Sequence, residues 1–170
     1  PEVDVLLGPE MKSTGEVMGF GKTFGEAYFK AQRAAGVILP KEGNVFISVR
    51  DHDKEPICEV ASELIDMGFK IYATSGTFLY LADAGIVCSK INKVKDGHPH
   101  IVDMIKNNEV HLIINTTEGA RSIKDSFSIR KEAQNHKISL TTTVSGAKAF
   151  CKAIKFIDDF GAQDLKQRHR

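Results

Sequence analysis

From Asn44 onward, short apolar runs alternate with longer stretches in which apolar side chains recur every three or four positions. The runs NVFISVR (44–50), FKIYAT (69–74), IVCSKI (86–91), VHLIINT (110–116) and KISLTT (137–142) are rich in β-branched and aromatic residues and predict strands. Between the first two, KEPICEVASELIDMG places Ile57, Val60, Ala61, Leu64, Ile65 and Met67 on one helical stripe, which Gly68 stops. The same pattern predicts helices at FLYLADAG, IVDMIKNN, ARSIKDSFSIRKEAQNH and AKAFCKAIKFIDDF. Strand and helix in regular alternation imply an α/β fold: a five-stranded parallel, Rossmann-like sheet with helices on both faces.

Ahead of this block, residues 1–22 carry strand and turn signals, and TFGEAYFKAQRAAG predicts a helix with Thr23 as N-cap and Glu26 completing a capping box. Gly36 ends that helix and Pro40 breaks the chain, so residues 1–36 read as an appendage, 37–43 as a linker and 44–170 as the main domain. The glycine-rich GEVMGFGKTFGEA (15–27) is not a phosphate loop. A Walker A pattern would need glycine where Glu16 stands, and a dinucleotide fingerprint would need it at Phe24.

Composition narrows the function classes. With 23 basic against 22 acidic side chains there is no broad basic face for a nucleic-acid partner, so any anion site must be local. No apolar run is long enough to span a bilayer and no signal peptide is evident, which with three scattered cysteines (Cys58, Cys88, Cys151) predicts reduced thiols and a cytoplasmic setting. The chain opens on Pro1, in a run that reads as the middle of something longer.

Open parallel sheets collect ligands at the carboxyl ends of their strands. Here those ends carry Ser48 to Lys54, the Thr74-Ser75-Gly76-Thr77 turn, Asn92 to His100, Asn115 to Gly119, and Thr141 to Gly146. Two hydroxyl-rich turns entering helices offer free backbone N–H groups, and Lys54 and Lys93 supply countercharge; together they suit a phosphate dianion. The plainer reading is that Thr74, Thr77, Thr116 and Thr117 merely cap helices. His52, His98 and His100 stand in polar loops and read as solvated, and no His/Cys/carboxylate spacing matches a zinc site, so neither a catalytic nor a metal residue is assigned.

GPEMKSTGEVMGFGKTF (8–24) closely resembles the segment that closes the second ATP-grasp unit in the large subunit of carbamoyl phosphate synthetases. DHDK, ATSGT, NKVKDGHPHIVD and IINTTEG resemble the carboxy-terminal regulatory domain of the same subunit, a methylglyoxal synthase-like domain. The resemblance implies that residues 1–36 are the tail of the preceding catalytic domain. It implies a regulatory role in a glutamine-dependent ligase that supplies carbamoyl phosphate for pyrimidine and arginine biosynthesis. Phosphorylated effectors such as UMP or IMP would meet Lys54, Thr74, Gly76, Thr77, Lys93, Asn115 and Thr117, with Ser48 nearby. ATP with Mg or Mn belongs to the ATP-grasp domains, and no cofactor is expected in this stretch. The implied partners are those catalytic domains and the glutaminase small subunit, and an oligomer is compatible. Thr142 corresponds to an ornithine-site position, but Thr141 replaces that site's acidic residue. Two alternatives stand beside this reading. A methylglyoxal synthase-type lyase would need a carboxylate base, where this chain has Gly97-His98-Pro99 and Asn115-Thr116-Thr117. A structural or oligomerisation domain needs no ligand at all.

Overall fold

Alternation along the central strand sets the layering. In a computed structural model that describes residues 17–116 and 120–168, with side chains outside 120–125 and 158–168, β1 (Asn44–Ser48) turns Val45 and Ile47 to one face and Phe46 to the other. It pairs in parallel with β2 (Lys70–Thr74) and β4 (Leu112–Asn115), in register Val45↔Ile71 and Val45↔Leu112. The edges are β3 (Ser89–Ile91) beside β2 and β5 (Ser139–Thr141) beside β4, giving the order β3-β2-β1-β4-β5. This is the α/β sheet the alternation predicts. Strands covered on both faces read as continuous apolar runs, and hence stand out in the sequence.

The first face is covered by α2 (Lys54–Asp66), α3 (Ser75–Asp83) and α6 (Val144–Arg168), which bury Ile57, Val60, Ala61, Leu64, Leu81, Phe150 and Ile154 against Val45, Ile47, Ile71 and Ile114. The second face carries α4 (Ile101–Lys106) and α5 (Ala120–Asn135), packing Ile101, Ile105, Ile129 and Ala133 on Phe46 and Ile113. Ile65 and Met67, on the predicted stripe of α2, are only partly buried at its rim.

Three of the strands are shorter than their apolar runs because chain reversals consume the first residues of the runs at 69, 86 and 137. Phe69 N–H donates to the Leu64 carbonyl at 3.0 Å, Ile86 N–H to Leu81 at 2.9 Å and Ile138 N–H to Ala133 at 2.8 Å, so these residues close helices instead of joining the ladder. Gly68 and Gly85 sit between, at φ of 90° and 77°, where a side chain would be strained.

The appendage helix α1 (Phe24–Ala34) forms an outer layer on α6. A Cβ at Gly25 would come within 2.5 Å of the Lys152 carbonyl oxygen, so glycine is what lets the two helices touch along their backbones. Tyr28 meets Phe150 and Phe29 meets Phe156, with ring centroids 6.0 and 5.9 Å apart. Thr23 caps α1 as predicted, its hydroxyl accepting from Glu26 N–H at 3.2 Å, but Glu26 reaches back to Lys22 N–H (2.8 Å) and not to Thr23. Two glycines of the 15–27 stretch serve close approach: Cβ atoms at Gly19 and Gly21 would collide with the Ala27 carbonyl oxygen and the Ala27 nitrogen.

All three cysteines are free thiols, Cys151 buried and the other two partly so. Burial pushes the Cys151 thiol up to about 12.

Candidate functional site

Because β1 leads to β2 on one side while the chain later returns to β4 on the other, the sheet's switch point lies between β1 and β4, at their carboxyl ends. A cavity of about 370 Å³ opens there, and Ser48, Arg50, Asp51, Thr74, Lys93, Asn115 and Thr116 supply its polar wall. Phe46, Val49, Val94, Ile101 and Ile129 form the apolar side.

Local hydrogen bonds hold this wall in place. The Ser48 and Thr74 hydroxyls are 2.9 Å apart, bridging β1 and β2. Thr77 is 2% exposed and its hydroxyl accepts from Val49 N–H at 3.1 Å, while the Thr116 hydroxyl accepts from Arg50 N–H at 3.1 Å. Arg50 in turn places Nε 2.8 Å from Asp53. Burial opposes the charge on Asp53, but the Thr116 hydroxyl and the Arg50 guanidinium outweigh it and hold the carboxyl below its usual range.

The predicted residues do not all come to one place. Ser48, Thr74, Lys93 and Asn115 converge on the cavity. Lys54 does not line it; its ammonium lies 2.7 Å from Asp51 Oδ1, and a Cβ at Gly76 would be 3.6 Å from that ammonium, so Lys54 sits over the start of α3. A Cβ there would make only ordinary contact, so Lys54 does not require glycine at position 76. Thr77 is turned inward as a brace. Thr117 lies outside the described residues, and Thr142 is exposed beyond β5, not among the cavity's lining.

Two wall residues were within the strand-end stretches but not singled out, Arg50 and Asp51. Asp51 is a carboxylate on the wall, yet the hydrogen bond from Lys54, that lysine's charge and the more distant Lys93 hold its carboxyl below the usual range, which makes it a weak base at neutral pH. One histidine departs from expectation: His100 is 7% exposed, packed at the start of α4, whereas His52 and His98 are exposed as predicted.

Two polar atoms of the wall stand out. Asn115 is 2% exposed and its Nδ2 has no hydrogen-bond partner among the described residues. The Lys93 side chain is exposed and its ammonium makes no hydrogen bond or ion pair among them, only a longer-range interaction with Asp51. A buried amide donor left open costs about 1–3 kcal/mol, so a group that accepts from Asn115 has that much to recover.

If Thr77 is a brace, Thr77→Val will lower stability by about 1–3 kcal/mol in urea unfolding, because Val49 N–H loses its buried acceptor. An unchanged midpoint would refute that role.

The fold and the position of the cavity define a doubly wound α/β domain with its pocket at the topological switch point. The chain belongs to the MGS-like domain family, whose family model matches residues 56–142. Over 99% of its length it is 55% identical to the carbamoyl phosphate synthase large chain of Pseudomonas syringae pv. tomato, of which it spans 16%. It is also 51% identical over 157 residues to the carbamoyl phosphate synthase large chain, C-terminal section, of Aquifex aeolicus, covering 92% of this chain and 29% of that protein. Among solved structures, the crystal structure of ForH superposes with a TM-score of 0.47 at 17% identity, covering 71% of this chain and 82% of that one. The chain therefore spans about one sixth of the length of the Pseudomonas relative.

Proposed function

We propose that this domain is the regulatory module of a carbamoyl phosphate synthase large chain, and that its strand-end cavity holds a nucleoside monophosphate effector of the UMP or IMP type. The observation that carries the reading is the meeting of Asn115 Nδ2 with the Lys93 ammonium, both without a partner among the described residues, across a wall of hydroxyls. Amide and hydroxyl donors with one ammonium match the acceptor-rich surface of a phosphate dianion, and the apolar wall leaves room for the rest of a small ligand. The cavity volume lies in the range of about 300–1,000 Å³ common for such sites.

Binding would act on ATP use in the catalytic domains by favouring one arrangement of this domain against them, a coupling of about 1–3 kcal/mol in typical cases. ATP with its metal, and the glutaminase partner, are assigned to those other parts of the enzyme, with carbamoyl phosphate for pyrimidine and arginine synthesis as the output. Catalysis by the cavity itself is disfavoured, since Lys54 lowers the wall carboxylate Asp51 below its usual range and makes it a weak proton acceptor.

Calorimetric titration of the full large chain with UMP and IMP tests the proposal: saturable binding to one site is expected. No heat at millimolar ligand would favour a ligand-free structural domain, and phosphate release from dihydroxyacetone phosphate would favour a lyase.

The Asp51–Lys54 pair refines this expectation. An incoming phosphate competes with Asp51 for the Lys54 ammonium, and Asp51 is 95% exposed. Asp51→Asn should therefore tighten nucleotide binding by about two- to fivefold, the scale of an exposed ion pair. Weaker binding in that variant would show instead that Asp51 itself touches the ligand.

A further inference from the structure

Beyond the cavity, the turn between β3 and α4 gathers a second group of donors. Asn92 pairs with His100 across an isolated bridge and donates from Nδ2 to the Gly97 carbonyl at 3.3 Å, so the loop from 92 to 100 closes on itself. That closure brings the His98 and His100 rings together, tilted by 33° with centroids 4.3 Å apart, and sets both Nδ1 atoms beside Asp103, on the first turn of α4. Asp103 Oδ2 lies 2.7 Å from His98 Nδ1 and 3.2 Å from His100 Nδ1, and one donor atom from each of the three residues falls within 4.8 Å of the others.

We propose that His98, His100 and Asp103 form a binding site for a divalent transition-metal ion of the zinc type. Three observations converge on it. First, the donor set is two imidazoles and a carboxylate, which suits Zn²⁺, Co²⁺ or Ni²⁺ and disfavours Mg²⁺ and Ca²⁺. Second, the donors are already gathered, with Asp103 Oδ2 2.7 and 3.2 Å from the two Nδ1 atoms, so modest side-chain shifts reach the ligand separations of about 3.3–3.4 Å set by tetrahedral metal bonds of about 2.0–2.1 Å. Third, His100 Nδ1 is buried and has no directed hydrogen bond among the described residues, although the carboxylate is 3.2 Å away. A metal ion would use that lone pair where no proton donor now does.

Asp103 is placed for the task by the backbone. Its Oδ2 accepts from His100 N–H at 2.9 Å, which fixes the carboxylate beside both rings. The 2.7 Å contact between His98 Nδ1 and Asp103 Oδ2 is a hydrogen bond, so an ion that takes both atoms displaces the proton between them. His98 is 76% exposed, so the fourth position faces water and the ion has an open path in. The proposed ion would also fasten the end of the loop whose beginning carries Lys93. That consequence rests on the effector reading; the metal site does not.

Titration of the full large chain with Co²⁺, followed by visible spectroscopy, tests the site. The wild type should bind one equivalent more than His98→Ala, with the intense visible bands of a tetrahedral ion lacking a thiolate charge-transfer band. Because His98 is exposed, that variant should keep its fold, as circular dichroism would verify. Asp103→Asn, which retains an oxygen to accept from His100 N–H, should weaken Co²⁺ at least tenfold. The same stoichiometry and spectrum in wild type and His98→Ala would overturn the proposal, as would a thiolate band showing that cysteine holds the ion. Nucleotide titration without metal reads the effector cavity separately, so failure of one site leaves the other standing.

Discussion

Lys93→Ala is expected to weaken nucleoside monophosphate binding by about ten- to a hundredfold, while stability stays within about 0.5 kcal/mol of the wild type. The ammonium is exposed and unpaired among the described residues, so its removal disturbs no packing. A hydrogen bond to a charged group contributes about 1.5–3 kcal/mol, and each 1.4 kcal/mol is a factor of ten in affinity. Lys54→Ala should cost less, because that ammonium is already engaged by Asp51 at 2.7 Å and must exchange one carboxylate for the ligand's phosphate. The contrast is the informative part. Equal losses in the two variants would mean that the phosphate sits over α3 and not at the β1–β4 crevice. Calorimetry on both variants, with urea unfolding as the control, decides between these outcomes.

The second large effect is on folding. Phe46→Ala should destabilise the domain by about 3–5 kcal/mol in urea or thermal unfolding, the usual range for emptying a large aromatic from a core. Phe46 is fully buried on the central strand, where the second face has only α4 and α5 to close over a gap. It also borders the cavity, so the variant that still folds should bind nucleotide more weakly through a loosened wall. A loss below about 1 kcal/mol would contradict the two-faced core.

Much of this architecture was legible from residue order because strands buried on both sides announce themselves as apolar runs, and amphipathic helices as three-four spacing. The strand-end rule then pointed to Ser48, Thr74, Lys93 and Asn115, which do converge. The bond between Arg50 and Thr116 was not legible, since it joins positions 66 residues apart that only the sheet register brings together. Thr77 and Thr74 share one turn, yet one faces inward as a brace and the other lines the cavity; spacing alone does not separate these roles. His100 looked solvated because its neighbours in sequence are polar. The Asn92–His100 bridge pulls it under the loop instead.

Helices usually meet through a cushion of side chains that can slide by a rotamer change. At Gly25 that cushion is missing, and the α1 backbone rests against the Lys152 carbonyl of α6. At that point neither helix can shift by a rotamer change alone, so a displacement of α1 there presses directly on the α6 backbone, whose first turn receives the chain from β5 through Thr143, its hydroxyl accepting from Gly146 N–H at 3.0 Å.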